Sequence, residues 1–471
     1  MMIERDFQDR LVEKCAVFGV YTKSYKASQL VYAGLWALQH RGQDSSGISS
    51  SDGRDIYTHK APGLVASVYQ EGDLDKLDGN IAIGHNRYAT SGGIEGHIQP
   101  TTSGQNLFAL AHNGTLPVRR ELVDFLQGKD MPSDPDQLND SELMHAAIEY
   151  YVAKGKPVEE AVALSFPLFT GAFSIVGLTK DKLIGLRDAH GIRPFCIGQL
   201  GDEGFVLSSE TCGLDSIGAK YMRDVKPGEM VVIDKEGLHS YQLKKGEEKL
   251  DIFELVYFSR PDSFFQGKSI NEIRREMGRQ LARERTIDAD IVIPVPNSAI
   301  PAALGYAEQS GVPFENGLLK NTYIHRTFIN PSPLLRERDV AIKFSPMPGA
   351  LEGKRVIVIE DSIVRGTTLK NLVSMIRTAG AKEVHLLSAS PPVKFPDFYG
   401  IATPQQRELI ASRMSIDQIR AFFGADSLQY LSYEGLIKAT GLPESTFCTA
   451  CYTGEYPIDI GENAQKINFS V

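Results

Sequence analysis

The segment VIVIEDSIVRGTT, residues 356–368, constrains the fold more than any other stretch of the chain. Its apolar run is typical of a buried strand, and the glycine and two threonines that follow predict a turn and a helix start. Free N–H groups at a helix start suit a phosphate, and two adjacent carboxylates suit the hydroxyls of a ribose. The segment is not the nucleotide P-loop, because no Gly-Lys-Ser/Thr follows the glycine. The alternative is an acidic strand end followed by a threonine-capped helix.

A second segment, residues 288–311, repeats the order of strand, loop, helix and glycine. Strands that alternate with helices predict a parallel sheet, with the site beyond the carboxyl ends of the strands. The first half instead shows short apolar runs bounded by turn residues, with a few helices. We therefore predict an α+β domain followed by an α/β domain, with a boundary near residues 235–260.

Four fragments of the first half carry candidate catalytic residues: CAVFGV, HRGQDSSG, GHNRYATSG and LAHNGTL. A thiol that attacks an amide needs a nearby base, yet the fragments show no obvious Cys–His–Asp arrangement. Taken singly, the residues have structural alternatives. Arg87 could form a surface ion pair, Asp140 could cap a helix, and Asn113-Gly114 could form a type I′ turn.

The 356–368 segment resembles the phosphoribosyltransferase signature that binds phosphoribosyl pyrophosphate (PRPP). The resemblance implies that one loop binds this substrate through Glu360, Asp361, Gly366, Thr367 and Thr368. It also implies that Ser298 contacts pyrophosphate or magnesium, and that Glu360 and Asp361 are magnesium ligands.

A long basic segment, residues 318–346, contains Lys320 and Arg326. Long irregular segments in compact domains are usually lids or binding loops, so we expect these two side chains to bind PRPP. A solvated loop is the alternative.

The four fragments of the first half, in their order, resemble a class-II glutamine amidotransferase domain, an N-terminal-nucleophile hydrolase with an αββα sandwich. The resemblance implies that Cys15 is the nucleophile and that its own α-amine is the base, which requires removal of residues 1–14 as a propeptide. Further roles are implied for Asn113 and Gly114 as the oxyanion hole, Arg87 and Asp140 as glutamine ligands, and Arg41 as a support of the closed site.

The two halves together resemble the amidophosphoribosyltransferase family, over residues from about 15 to 455. The expected domains are residues 15–240, the amidotransferase, and 241–471, a type I phosphoribosyltransferase with a C-terminal extension. The expected activity is glutamine-dependent conversion of PRPP to 5-phosphoribosylamine, the first step of purine synthesis. Magnesium, inhibitory purine nucleotides and a homodimer or homotetramer are implied as well. Two alternatives are a different class-II amidotransferase and a non-catalytic relative that senses PRPP or nucleotides.

The cysteines depart from the family pattern. Many members with a leader bind a four-iron cluster through four cysteines; here Cys448 and Cys451 match, but Asp251 and Asp397 stand at the other two positions. Carboxylates replace soft thiolates poorly, so we predict no iron–sulfur cluster. A reduced cysteine pair, a zinc site or a site of two cysteines and two aspartates remains open.

Charge and hydropathy narrow the expected partners. A net charge of -9 argues against nucleic acid or an anionic membrane as a partner. No stretch approaches the roughly 20 apolar residues that span a bilayer, and the charged first fourteen residues do not resemble a secretory signal. The expected location is the cytoplasm.

Overall fold

Two antiparallel sheets form the first half of the chain in the computed structural model, which describes residues 15–87, 97–129, 134–321, 343–400 and 405–467. Their strands are β1 (Ala16–Thr22), β2 (Ser45–Ser51), β3 (Ile56–Pro62), β4 (Ile81–Arg87), β5 (Thr101–Thr102), β6 (Ala109–Val118), β7 (Thr170–Leu178), β8 (Leu183–Arg187), β9 (Cys196–Leu200), β10 (Gly204–Ser208), β11 (Lys220–Asp224), β12 (Glu229–Asp234) and β13 (Gly237–Gln242). One sheet has the order β11-β9-β10-β1-β4-β2-β3, and the other has the order β13-β12-β8-β7-β6-β5.

Helices cover the outer faces of both sheets. They are α1 (Ala27–Ala37), α2 (Val65–Val68), α3 (Arg120–Leu126), α4 (Asp140–Ala153), α5 (Val158–Ser165) and α6 (Thr211–Asp215). Val17 and Ile83 of one sheet pack against Ala111 and Val176 of the other, so an apolar core lies between the sheets. Two further cores lie beneath the helices. The predicted αββα sandwich is confirmed.

The first helix ends earlier than its sequence indicates. The pattern of residues 27–42 predicts a helix that stops at Gly42, but α1 ends at Ala37 and a 3-10 turn covers Gln39–Arg41. The tighter turn directs the Arg41 side chain into the interior, where it is fully buried.

A four-stranded parallel sheet, in the order β17-β20-β21-β22, organises the second half. The strands here are β14 (Leu250–Asp251), β15 (Phe264–Phe265), β16 (Lys268–Ser269), β17 (Ile291–Pro294), β18 (Leu318–Lys320), β19 (Phe344–Pro346), β20 (Arg355–Glu360), β21 (Glu383–Ser388), β22 (Ser427–Tyr430) and β23 (Phe447–Cys448). The helices are α7 (Ile270–Glu284), α8 (Ile300–Ser310), α9 (Pro348–Leu351), α10 (Thr367–Thr378), α11 (Ile416–Phe423), α12 (Tyr433–Thr440) and α13 (Ala450–Thr453), with a π-helix over Glu254–Phe258. Apolar cores cover both faces of this sheet, which confirms the predicted α/β arrangement.

Short 3-10 helices complete the described structure: Gln39–Arg41, Pro135–Gln137, Phe166–Leu168, Gln406–Glu408, Ile410–Ser412, Glu444–Thr446 and Gly461–Lys466. The two halves meet through a buried apolar cluster, in which Ala172 and Ile192 of the first half contact Tyr399, Cys448 and Ala450 of the second. No helix within the described ranges is long and apolar enough to cross a membrane.

Candidate active sites

Strand pairing brings the candidate residues of the first half to one end of the two sheets. Ala16 of β1 pairs with Asn86 of β4, so the register places Arg87 beside Cys15. The neighbouring His85 lies 3.1 Å, through its Nε2 atom, from the carbonyl oxygen of His112 on the facing sheet. Asn113 follows His112 in the chain. Cys15, Arg87 and Asn113 therefore lie in one region.

The Asn113 side chain is arranged to receive a ligand. It is completely buried, and neither Oδ1 nor Nδ2 has a hydrogen-bond partner among the described residues. An unpartnered buried amide is costly, so such a group is expected where a substrate completes its hydrogen bonds. Asn113 and Gly114 lie inside β6, so the alternative of a type I′ turn is wrong.

Gly114 requires glycine for two reasons. Its φ is 145°, and a Cβ atom there would lie 2.0 Å from the carbonyl oxygen of Ala172. The backbone of this oxyanion candidate is therefore fixed by its packing against β7.

Asp140 is the first residue of α4 and does not cap it. The cap is Asn139, which forms a capping box with Glu142, so the helix-cap alternative for Asp140 is wrong. Asp140 Oδ2 accepts a hydrogen bond of 2.9 Å from the N–H of Leu116, two residues beyond Gly114. This contact holds the carboxylate next to the end of β6 that carries the oxyanion candidates.

Arg41 is buried between two carboxylates that the motifs do not reveal. It forms ion pairs with Glu210 and Glu254, and its Nε donates to the carbonyl oxygen of Cys15 at 3.3 Å. The sequence separations of 169 and 213 residues explain why the pairs escaped sequence reasoning. Glu210 and Glu254 lie outside the four fragments, so no motif pointed to them.

The histidines of the fragments have partners of their own. His40 Nε2 lies 2.8 Å from Glu210, and His112 Nδ1 lies 3.2 Å from the hydroxyl of Ser141. Burial, reinforced by the charge of Arg87, lowers the pKa of His85 to about 3. A histidine with such a pKa is a weak base, which agrees with a base supplied by another group.

In the second half, the loop after β20 carries the acidic pair. Glu360 ends the strand, and both Glu360 and Asp361 are buried. Asp361 accepts hydrogen bonds from the hydroxyls of Ser298, at 2.5 Å, and Ser362, at 2.6 Å. Ser298 belongs to the loop after β17, the strand beside β20. The structure thus brings the predicted pyrophosphate loop and the predicted ribose-binding acids together.

Gly366 begins α10 in a left-handed conformation with φ 89°. A Cβ atom at this position would lie 2.8 Å from the ring of Phe423, so the turn needs glycine. Thr367 is exposed and Thr368 is half-buried in the first turn of the helix. This places two hydroxyls beside the free N–H groups of a twelve-residue helix.

The basic segment is described only at its ends. Lys320 is half-buried on β18, whose partner β19 begins at Phe344. Arg326 lies outside the described residues, so its predicted contact with PRPP stays a prediction.

The acidic pair fits magnesium. Carboxylate and hydroxyl oxygens are suitable ligands, and magnesium at phosphate sites usually takes only one or two carboxylates, with substrate phosphates completing its shell. Within the described residues, no group of three or more His, Cys, Asp or Glu side chains is placed to hold a metal ion. Glu360 and Asp361 therefore fit a magnesium ion that the substrate helps to bind.

The residues at the family's cluster position do not fit four irons. Asp251 pairs with Cys448 between β14 and β23, and the charges of Asp251 and Asp397 act on both Cys448 and Cys451. Burial, followed by the charge of Asp251, raises the pKa of both thiols, whereas a cluster needs four thiolates. The absence of an iron–sulfur cluster stays a prediction, supported by this set of donors.

The chain therefore combines a class-II amidotransferase fold with a phosphoribosyltransferase fold. Two family models match it: a glutamine amidotransferase domain over residues 85–216 and a phosphoribosyl transferase domain over residues 262–389. Amidophosphoribosyltransferase of Synechocystis sp. is 44% identical over 97% of this chain and 94% of the relative. That of Bacillus subtilis is 42% identical over 96% of this chain and 95% of the relative. The chain belongs to the amidophosphoribosyltransferase family.

Solved structures agree with this membership. The glutamine PRPP amidotransferase of B. subtilis, complexed with ADP and GMP, matches with a TM-score of 0.88 at 42% identity, over 95% of this chain and 98% of that one. A structure described as the allosteric regulatory enzyme of purine biosynthesis matches with a TM-score of 0.88 at 43% identity, over 95% and 97%. The chain is thus an enzyme of glutamine-dependent PRPP amidotransfer in purine synthesis, and neither alternative function is supported.

Proposed function

We propose that Cys15, freed by removal of residues 1–14, attacks the side-chain amide of glutamine. Its α-amine accepts the thiol proton, because an α-amine with a pKa near ~7.7 is partly neutral at physiological pH. The proton then passes to the departing ammonia, a thioester forms, and water hydrolyses it to glutamate. Loss of residues 1–14 is measured by the intact mass of the purified protein.

The observation that supports this chemistry best is the buried, unpartnered amide of Asn113. The side-chain N–H of Asn113 and the backbone N–H of Gly114 donate to the amide oxygen of glutamine, on which negative charge develops during the attack. Such donors are worth roughly 3 kcal/mol each. Arg87 binds the α-carboxylate of glutamine and Asp140 its α-ammonium. One Nη atom of Arg87 is buried with no partner among the described residues, as expected of a group that awaits an anion.

In the second half, we propose that ammonia attacks C1 of PRPP and pyrophosphate leaves. Glu360 and Asp361 hold the ribose hydroxyls, and Thr367, Thr368 and the Gly366 backbone hold the 5-phosphate. Lys320 and Arg326 bind PRPP from the basic segment. Ser298, Glu360 and Asp361 would hold magnesium, which when bound neutralises charge on the departing pyrophosphate.

Other family properties are also proposals for this chain. The nucleotide complex of the B. subtilis enzyme supports inhibition by purine nucleotides, and a homodimer or homotetramer and a cytoplasmic location are likewise proposed. We also propose the division of the domains at residues 240 and 241, although the last strand of the second sheet, β13, ends two residues later at Gln242.

A Cys15→Ala variant tests the assignment of the nucleophile. We expect loss of glutamine-dependent synthesis of 5-phosphoribosylamine, while ammonia-dependent synthesis stays within about twofold of wild type, because ammonia bypasses the thioester. Both rates are measured by pyrophosphate release. Glutamine-dependent synthesis by Cys15→Ala would refute the proposed nucleophile, and loss of both activities would refute the division of labour between the halves.

A further inference from the structure

Arg41 is held by carboxylates from both halves of the chain. Glu254, in the π-helix of the second half, contacts it twice: Oε2 lies 3.0 Å from Nη1, and Oε1 lies 2.6 Å from Nη2. Glu210 of the first half contacts the same Nη1 atom. All three side chains are buried, and a two-point contact between guanidinium and carboxylate fixes the orientation of both groups.

The pairing extends to a second buried arginine. Arg193 Nη2 lies 2.8 Å from Glu254 Oε1, so Glu254 is shared between Arg193 and Arg41. Burial alone would raise the pKa of Glu254, but the charges of the two arginines hold it below its ordinary value. Glu254 is therefore a carboxylate in the folded protein. Arg193 also lies near a second acid of the second half, with its Nη1 atom 3.7 Å from Asp251 Oδ2.

Each half completes the ion pairs of the other. Arg41, Arg193 and Glu210 come from the first half, whereas Glu254 comes from the second. Glu210 in turn accepts hydrogen bonds from the second half: 2.9 Å from the N–H of Arg260 and 2.7 Å from the hydroxyl of Ser263. Side chains of each half therefore bind groups of the other half, and this network contacts Cys15 through Arg41.

The network ends on the backbone of Cys15. Arg41 Nε donates a hydrogen bond of 3.3 Å to the Cys15 carbonyl oxygen. The orientation of that carbonyl sets where the thiol and the α-amine of the same residue point. A shift of Arg41 therefore moves the reacting groups, and catalysis is sensitive to displacements of about 1 Å.

We propose that Glu254 is a positioning residue of the glutamine site, supplied by the phosphoribosyltransferase half. It acts through Arg41 and does not touch glutamine. This inference rests on the proposed role of Cys15 as nucleophile. It makes the glutaminase half incomplete without the second half, because the buried Arg41 would keep only Glu210 and the buried Arg193 would lose its contact with Glu254.

The test uses the full-length enzyme with Glu254→Gln and Glu254→Asp. Gln keeps the shape of the side chain but removes its charge. Asp keeps the charge, but its side chain is one methylene shorter, so the carboxylate lies farther from Arg41. We expect kcat with glutamine to fall roughly 100-fold in Glu254→Gln and less in Glu254→Asp, with ammonia-dependent synthesis within about twofold of wild type. If Glu254→Gln does not fold, Glu254→Asp carries the test alone.

Glu229→Gln is the matched control, because Glu229 is also fully buried and paired at two points with an arginine, Arg223, away from the glutamine site. It should keep both activities even if its melting temperature falls. Alkylation of Cys15 by iodoacetamide, followed by mass spectrometry, gives a second readout, and we expect slower labelling in Glu254→Gln.

The proposal is overturned if both Glu254 variants keep wild-type kcat with glutamine, or lose both activities equally. Failure of the underlying mechanism gives a different result, since Cys15→Ala would then retain glutamine-dependent synthesis whatever the Glu254 variants do.

Discussion

At the scale of single residues, the buried His85 makes the stability of the protein depend on pH. Its pKa of about 3, caused mainly by burial, lies below the ~6.5 expected in the unfolded chain. Between these values the unfolded chain binds a proton that the folded protein does not. The stability contributed by neutral His85 is therefore fully present above pH 6.5 and is lost as the pH falls.

We predict that this single group lowers the free energy of unfolding by roughly 2 kcal/mol between pH 8 and pH 5. A His85→Gln variant should not show this decrease in the free energy of unfolding, because glutamine does not titrate. Its side-chain amide can still donate to the His112 carbonyl oxygen. Urea unfolding at both pH values measures it. His239→Gln is the control, because His239 is partly exposed on β13 beside Asp234. Equal acid sensitivity of wild type and His85→Gln would contradict the prediction.

The motifs predicted the residues that lie close together in sequence, and the structure placed them as a group. Asn113 and Gly114 lie on one strand, Glu360 ends another and Asp361 follows it directly, so a local pattern was enough. Glu210 and Glu254 could not be found in this way. Their role depends on a buried arginine far away in sequence, and a lone glutamate gives no periodic or spacing signal.

At the scale of elements, the β20–loop–α10 unit depends on the left-handed turn at Gly366. Alanine there would be strained by φ 89° and would press on Phe423, so the loop and the helix start must shift. We expect Gly366→Ala to raise the KM for PRPP by roughly tenfold, equivalent to about 1.4 kcal/mol of binding, with either nitrogen source. Steady-state kinetics measure the change.

Gly424→Ala is the matched control for this unit. Gly424 follows α11 with φ 67°, so alanine brings a similar backbone strain, but a Cβ atom would meet nothing within 4 Å. Backbone strain should cost each variant about 1 kcal/mol of stability, Gly366→Ala should lose more because of its contact with Phe423, and only Gly366→Ala should affect PRPP. A wild-type KM in Gly366→Ala would show that this turn does not hold the phosphate.

Whether a segment forms a strand or a helix was predictable, because the sequence pattern that decides it is local. The residue at which an element ends was not predictable. The strand–loop–helix order of residues 288–311 and 356–368 appears as β17–α8 and β20–α10. In contrast, α1 stops at Ala37, before its pattern does, because Arg41 must reach carboxylates inside the molecule. Tertiary contacts set that end, and a local pattern contains no information about them.

At the scale of the whole molecule, the second half touches the oxyanion candidates directly. Gly400 of the second half packs against Gly114. A Cβ atom at Gly400 would lie 3.1 Å from the Cα of Gly114. Together with Glu254 behind Cys15, this contact means that the second half borders the glutamine site on two sides. A displacement of these parts of the second half would therefore act directly on the glutamine site.

We predict that PRPP raises the rate of glutamine hydrolysis in the wild-type enzyme, measured as glutamate release. Gly400→Ala should weaken that response, because alanine at φ 123° is strained and presses on Gly114, while ammonia-dependent synthesis persists. Gly353→Ala is the control: it has φ 71° but open space around the added methyl group. A hydrolysis rate indifferent to PRPP in the wild type would contradict coupling between the halves. A full PRPP response in Gly400→Ala would instead leave the coupling intact and exclude the contact with Gly114 as its route, so the Glu254–Arg41 network would be the path to test next.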